Sequence, residues 1–128
     1  MRGGLLSRMS FPANTVTIQP HFKAHPGKAE AFRALTRAFV AKTTPETLNL
    51  YYDFTSNGDE FFCREGYIGA EGALAHLQNV GPIVDEALKI ADLVRLEIHG
   101  PAEELEKLKG PLAAMSPSWF VLECRVER

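Results

Sequence analysis

Cysteine and net charge are both in short supply in this 128-residue chain. The two cysteines, Cys63 and Cys124, show no Cys/His spacing that would build a zinc site, so no metal is expected. Both are read as buried, reduced thiols in strand-like stretches. A net charge of −2 with no clustered basic stripe argues against nucleic acid as a partner. No apolar run approaches the roughly 20 residues of a membrane span, which argues against a membrane partner. The first residues lack the apolar stretch of a signal peptide, and no repeat or low-complexity segment interrupts the chain. These absences predict a cytoplasmic protein of one domain. A flexible tail over 1–13 precedes that domain at 14–128, divided into a core at 14–99 and a C-terminal extension at 100–128.

Periodicity supplies the elements. Thr15 to Phe22 alternates Val16, Ile18 and Phe22 with Thr15, Thr17, Gln19 and His21, a strand pattern. Pro20 in that run predicts an edge, a bulge or the end of pairing. Lys28 to Lys42 carries Phe32, Leu35, Phe39 and Val40 at helical spacing. Leu48 to Thr55 and Glu60 to Tyr67 read as a hairpin, with Asn57 and Gly58 as the loop of a type I′ turn. That register sets Tyr52 against Cys63 and Leu50 against Glu65. It gathers Tyr52, Phe54, Phe61, Cys63, Glu65 and Tyr67 on one face, and Tyr51, Asp53, Phe62 and Arg64 on the other. Ala70 to Val80 reads as a short helix with His76 on the shoulder of its apolar stripe, and Gly81-Pro82 restarts a helix. Asp92 to His99 is a strand with Val94, Leu96 and Ile98 on one side. Ala102 to Lys109 is a surface helix, and Ser118 to Val126 is the last strand.

The order is βαββαβ with an extra helix and strand. It predicts an α+β, ferredoxin-like antiparallel sheet with helices on one face. The uncovered face would carry Tyr51, Phe62 and some of Trp119, Val121 or Phe120 from the terminal strand, an apolar area suited to pairing two sheets across a two-fold axis. A homodimer through the open sheet face follows. Arg64, on that side, would pair across subunits with Asp53.

Glu65 is the residue that needs a reason, because an unpaired buried carboxylate costs several kcal/mol. Two readings stand. Glu65 hydrogen-bonds a helix or a histidine and fixes packing, or it orients His76 as a general base. Tyr52 and Tyr67 read as pocket walls. Cys63 has no basic neighbour on its face and reads as core, not nucleophile.

Three stretches resemble a known family: Val16-Thr17-Ile18-Gln19-Pro20, His25-Pro26-Gly27-Lys28, and Arg64-Glu65-Gly66-Tyr67 followed by Ala73-Leu74-Ala75-His76-Leu77. Over about residues 14 to 99 the chain resembles the antibiotic biosynthesis monooxygenase-like domains of the dimeric α/β-barrel superfamily. The resemblance implies a small-molecule pocket between the sheet and the helices. Some members oxidise phenolic or quinol-like compounds with dioxygen and without metal or flavin. Others degrade haem with an asparagine–tryptophan–histidine trio, and here the single tryptophan, Trp119, lies in the last strand. The expectation is a cofactor-independent monooxygenase acting on a small aromatic, quinol- or anthrone-like compound. His76 and Glu65 would be catalytic, with Tyr52, Tyr67, Cys63, Phe32 and Phe39 at the substrate. A non-catalytic small-molecule-binding or dimerising protein is the alternative, and a proton-transfer isomerase is a further one.

Overall fold

The computed structural model describes residues 11–127, so most of the expected tail lies outside the described residues. β1 (Thr15–Ala24), α1 (Ala29–Thr43), β2 (Asn49–Asn57), β3 (Glu60–Ile68), α2 (Gly69–Ile90) and β4 (Ala91–Gly100) form the ferredoxin-like unit. α3 (Ala102–Lys109) and a short β5 (Ser118–Val121) extend it. The sheet runs β2-β3-β1-β4-β5, with β5 parallel to β4 after the α3 crossover and the other pairs antiparallel. Within one chain the sheet is open, not a closed barrel. Among the described residues no helix is long and apolar enough to cross a membrane.

The hairpin corrects the expected register without disturbing its faces. Asn57 pairs with Glu60, so the loop is Gly58-Asp59, and Tyr52 sits opposite Glu65 instead of Cys63. Gly58 takes a positive φ of 64°, the first-position glycine of a two-residue hairpin. The slip is of two residues, and side chains alternate with period two, so Tyr52, Cys63, Glu65 and Tyr67 keep their side of the sheet. Farther on, β2 gains an extra residue between Asn49 and Tyr51. Gly66 then lies beneath the Tyr51 ring, where an added Cβ would stand 2.7 Å from Cε1. Arg64 pairs with Asp53 directly across the hairpin at 3.3 Å, inside one subunit.

Pro20 lies within the central strand, just before a bulge in its pairing with β4, and not at an edge. The β1–β4 register shifts between His21 and Phe22, leaving Val94 without a partner. Alternation along β4 therefore changes phase. Leu93 packs into the core while Val94 is 59% exposed, against the expectation that Val94, Leu96 and Ile98 share a face. In α1 the buried line is Phe32, Thr36, Phe39 and Thr43, and Val40 turns outward. α2 is one helix of 22 residues rather than two, with Pro82 inside it. Gly81 has no Cβ to meet the proline ring, and the carbonyl that Pro82 leaves unpaired belongs to the exposed residue Gln78.

Two core clusters lie under the helices. One joins Phe22, Phe32, Phe39 and Phe61 to α2. The other holds Val16, Ile18, Tyr67 and Ile98, and is closed by Leu105, Leu108 and Leu112 of the extension. The extension also caps α2: the Ala70 amide donates to Glu104 Oε1 at 2.8 Å, because Ile68 has no side-chain oxygen to do so.

Two stability changes follow, both readable by urea unfolding. Gly66→Ala is expected to cost about 1–3 kcal/mol, since the Tyr51 ring must move. Glu104→Ala is expected to cost about 1 kcal/mol by uncapping α2. Unchanged midpoints would remove the steric and capping roles assigned to these residues.

Candidate functional site

Strand alternation aims Cys63, Glu65 and Tyr67 at the helices, and pairing with β2 brings Tyr52 opposite Glu65. α2 then lays His76 over them. The imidazole is fully buried, not on the helix shoulder, at 2% exposure, and lies between Tyr52 and Tyr67 with ring centroids 5.0 and 4.9 Å away. Glu65 is buried as well, at 4%. Its Oε1 accepts the Tyr67 hydroxyl at 2.6 Å and stands 3.5 Å from His76 Nε2.

The closer partner of His76 is Glu46, on the loop between α1 and β2. Its Oε2 is 2.9 Å from His76 Nδ1 and accepts Asn79 Nδ2 at 2.8 Å. Glu46 was absent from the sequence-based site, since a single carboxylate in a Pro45-Glu46-Thr47 turn carries no periodic signal. Asn79 left a weak one: it follows His76 by three residues, on the same side of a helix.

Burial governs the protonation of this cluster. It pushes the Glu65 carboxyl up to about 7, with the negative charge of Glu46 adding to the rise and hydrogen bonds from Tyr67 and Cys63 opposing it. Burial lowers His76, while its hydrogen bond to Glu46 and that charge work the other way. Tyr67 is raised by burial and by Glu65, and so is Tyr52. Burial and Glu65 raise the Cys63 thiol too, which suits a core residue. A carboxyl held well above its ordinary range thus stands beside an imidazole held below its own, the makings of a proton donor and a proton acceptor.

A cavity of about 50 Å³ opens against this cluster. Glu65, His76 and Tyr52 line it, with Phe39, Leu77 and Met115 among its apolar walls. Phe32, Cys63 and Tyr67 do not. Phe32 is packed between Phe22 and Phe61, at 5.1 and 4.6 Å, the Tyr67 hydroxyl is bonded to Glu65, and Cys63 is buried in the sheet. Cys124, expected to be buried in a strand as well, is exposed and lies beyond β5. The volume is far below the roughly 300 Å³ at the lower end of small-molecule sites. His21 lies tilted against Phe62 on the uncovered face, ring centroids 4.2 Å apart, and His25 pairs with exposed Asp92, both away from the cluster. Among the described residues no group of three or more His, Cys, Asp or Glu is placed to hold a metal ion.

Comparison with protein-family models and with curated proteins finds no match. Solved structures do match. MupZ from Pseudomonas fluorescens is 44% identical over 90% of this chain and 95% of its own, with a TM-score of 0.85. "Putative antibiotic biosynthesis monooxygenase" from Nitrosomonas europaea aligns at 19% identity over 73% of this chain and 96% of its own, with a TM-score of 0.63. Rv0793 from Mycobacterium tuberculosis aligns at 21% identity over 68% and 94%, with a TM-score of 0.61. The last two share the fold.

The buried carboxyl makes stability depend on pH. A folded value near 7 against the ordinary 4.5 means that the folded chain holds this proton more tightly than the unfolded one. The contribution of Glu65 is full below about pH 4.5 and is lost as pH rises through about 7. His76, shifted down, contributes above the ordinary histidine range and loses that contribution as pH falls. Glu65→Gln should match the wild type near pH 5 and exceed it above pH 7, by up to roughly 3 kcal/mol in urea unfolding. Parallel pH profiles for the two proteins would contradict the assignment.

Proposed function

We propose a function from family membership: the chain belongs to the antibiotic biosynthesis monooxygenase-like family, and it acts as an oxidoreductase on a small aromatic compound of quinol or anthrone type. The observation that carries this reading is the Glu65–His76 pair on the wall of an otherwise apolar cavity. His76 or ionised Glu65 removes an acidic proton from the substrate. The resulting anion gives one electron to dioxygen, and the substrate radical and superoxide combine to a peroxide. Protonated Glu65 supplies the proton that the peroxide takes up. Collapse at an anthrone-type methylene leaves a carbonyl and releases the second oxygen as water. Apolar walls keep bulk water from the anion. A ring-sized substrate needs the cavity to widen, and Leu88 and Met115 on its wall are the side chains to move.

A second reading is favoured by the small cavity itself: a non-catalytic protein in which the same polar cluster only fixes the packing. A proton-transfer isomerase would use the same pair and no oxygen. We propose in addition that two copies pair through the uncovered sheet face. Tyr51, Phe62 and Phe120 lie there, in ring contacts with Phe11, His21 and His99.

Oxygen uptake with a panel of quinols and anthrones separates these readings. The expected result is substrate-dependent uptake that falls about 10²-fold or more in His76→Ala. Turnover that persists under argon would turn the assignment to isomerisation, and full activity in the variant would sink the base. Sedimentation at micromolar concentration should give a dimer; a monomer would refute the pairing.

A further inference from the structure

We propose that Glu46 is the positioning residue of this site, fixing His76 as the Nδ1–H tautomer and leaving Nε2 as the free base toward Glu65. The proposal rests on the acid–base reading above and adds to it the residue that decides which nitrogen does the work.

Hydrogen-bond complementarity fixes the tautomer. Asn79 Nδ2 donates to the Lys42 carbonyl at 2.9 Å and to Glu46 Oε2 at 2.8 Å. Two acceptors facing one amide group require its NH₂ there, and the pair of bonds ties Glu46 Oε2 to the end of α1. That oxygen lies 2.9 Å from His76 Nδ1, and a carboxylate oxygen accepts only from a nitrogen that carries hydrogen. A neutral imidazole has one such nitrogen, so Nε2 is bare. The 3.5 Å separation from Glu65 Oε1 is longer than an ordinary hydrogen bond, and that oxygen is already taken by Tyr67.

Geometry also separates the roles of the two carboxylates. Glu65 and His76 line the cavity, whereas Glu46 does not, so Glu46 acts through the imidazole. The titratable groups facing the ring are Glu46 from the loop, Tyr52 from β2, and Glu65 and Tyr67 from β3. When Nε2 takes up a proton, the imidazolium lies between two carboxyl groups, and the charge of Glu46 holds it in place. Glu65, for which orienting the histidine is one of two readings from sequence, is thereby released to carry a proton of its own.

Nitrogen-15 correlation spectra of the histidine rings test this on the full chain without any substrate. The His76 signals are those lost in His76→Asn. The expected wild-type signature near pH 7 is an Nδ1–H, bare-Nε2 ring. Glu46→Gln keeps an oxygen acceptor and removes the charge, so the tautomer should persist while the ring titration moves to lower pH. Glu46→Ala should give a mixture of tautomers; if that variant does not fold, the glutamine variant carries the test alone. An Nε2–H ring in the wild type, or an unmoved titration in Glu46→Gln, overturns the proposal. A wild-type Nδ1–H ring in a protein that shows no oxygen uptake supports the positioning role and overturns only the oxidative reading.

Discussion

A carboxyl group set in an apolar layer must find partners or stay protonated, and Glu65 does some of each. Its oxygen takes the Tyr67 hydroxyl, and burial still lifts the group to about 7. Around that one demand the centre of the molecule is arranged. Tyr67 and Tyr52 flank His76, and the ring joins Glu65 on β3 to Glu46 on a loop more than one strand away. Asn79 then ties the loop back to the end of α1. Hydrogen bonds thus link both long helices and the intervening turn, while ring contacts with Tyr52 and Tyr67 and the 3.5 Å approach of Glu65 to His76 join the hairpin to them. Replacing one member without a substitute leaves another buried polar group unpaired, at about 1–3 kcal/mol.

The backbone shows which local irregularities matter to that centre. The hairpin slips by two residues, and the bulge between Asn49 and Tyr51 falls beyond Tyr52, so the faces that carry Tyr52 and Glu65 are preserved. The bulge at Val94 is different in kind. It changes the phase of β4 and turns Leu93 inward, where it packs beside both core clusters and lines the cavity. The residues after 99 are part of the packing as well. Leu105, Leu108 and Leu112 close one cluster, Glu104 caps α2, and Met115 forms a wall of the cavity.

Sheet and site also divide the molecule's chemistry by face. On the helix side the polar groups are few, buried and coupled. On the uncovered side they are exposed and paired locally, as in Arg64 with Asp53 and Arg95 with Glu97, between stacked rings such as His99 and Phe120. Surface ion pairs of that sort contribute about 0–1 kcal/mol each. They leave the aromatic contacts as the larger part of what that face offers to another surface.

Sequence alone determined the order of elements, the inward face of the hairpin and the placing of Glu65 and His76 on the helix side. Each is written in a repeat of two or about 3.6 residues, and a repeat survives small errors of register. Folding in three dimensions decided the rest. Glu46 belongs to no repeat, and it reaches His76 only because a turn and a helix 30 residues apart pack together. Pro82 sits inside a helix where the carbonyl it leaves without a partner belongs to exposed Gln78, and Val94 turns outward because its neighbour strand loses step at His21. The size of the cavity has the same origin: it is what remains after side chains from every layer have packed, a quantity that no single segment encodes.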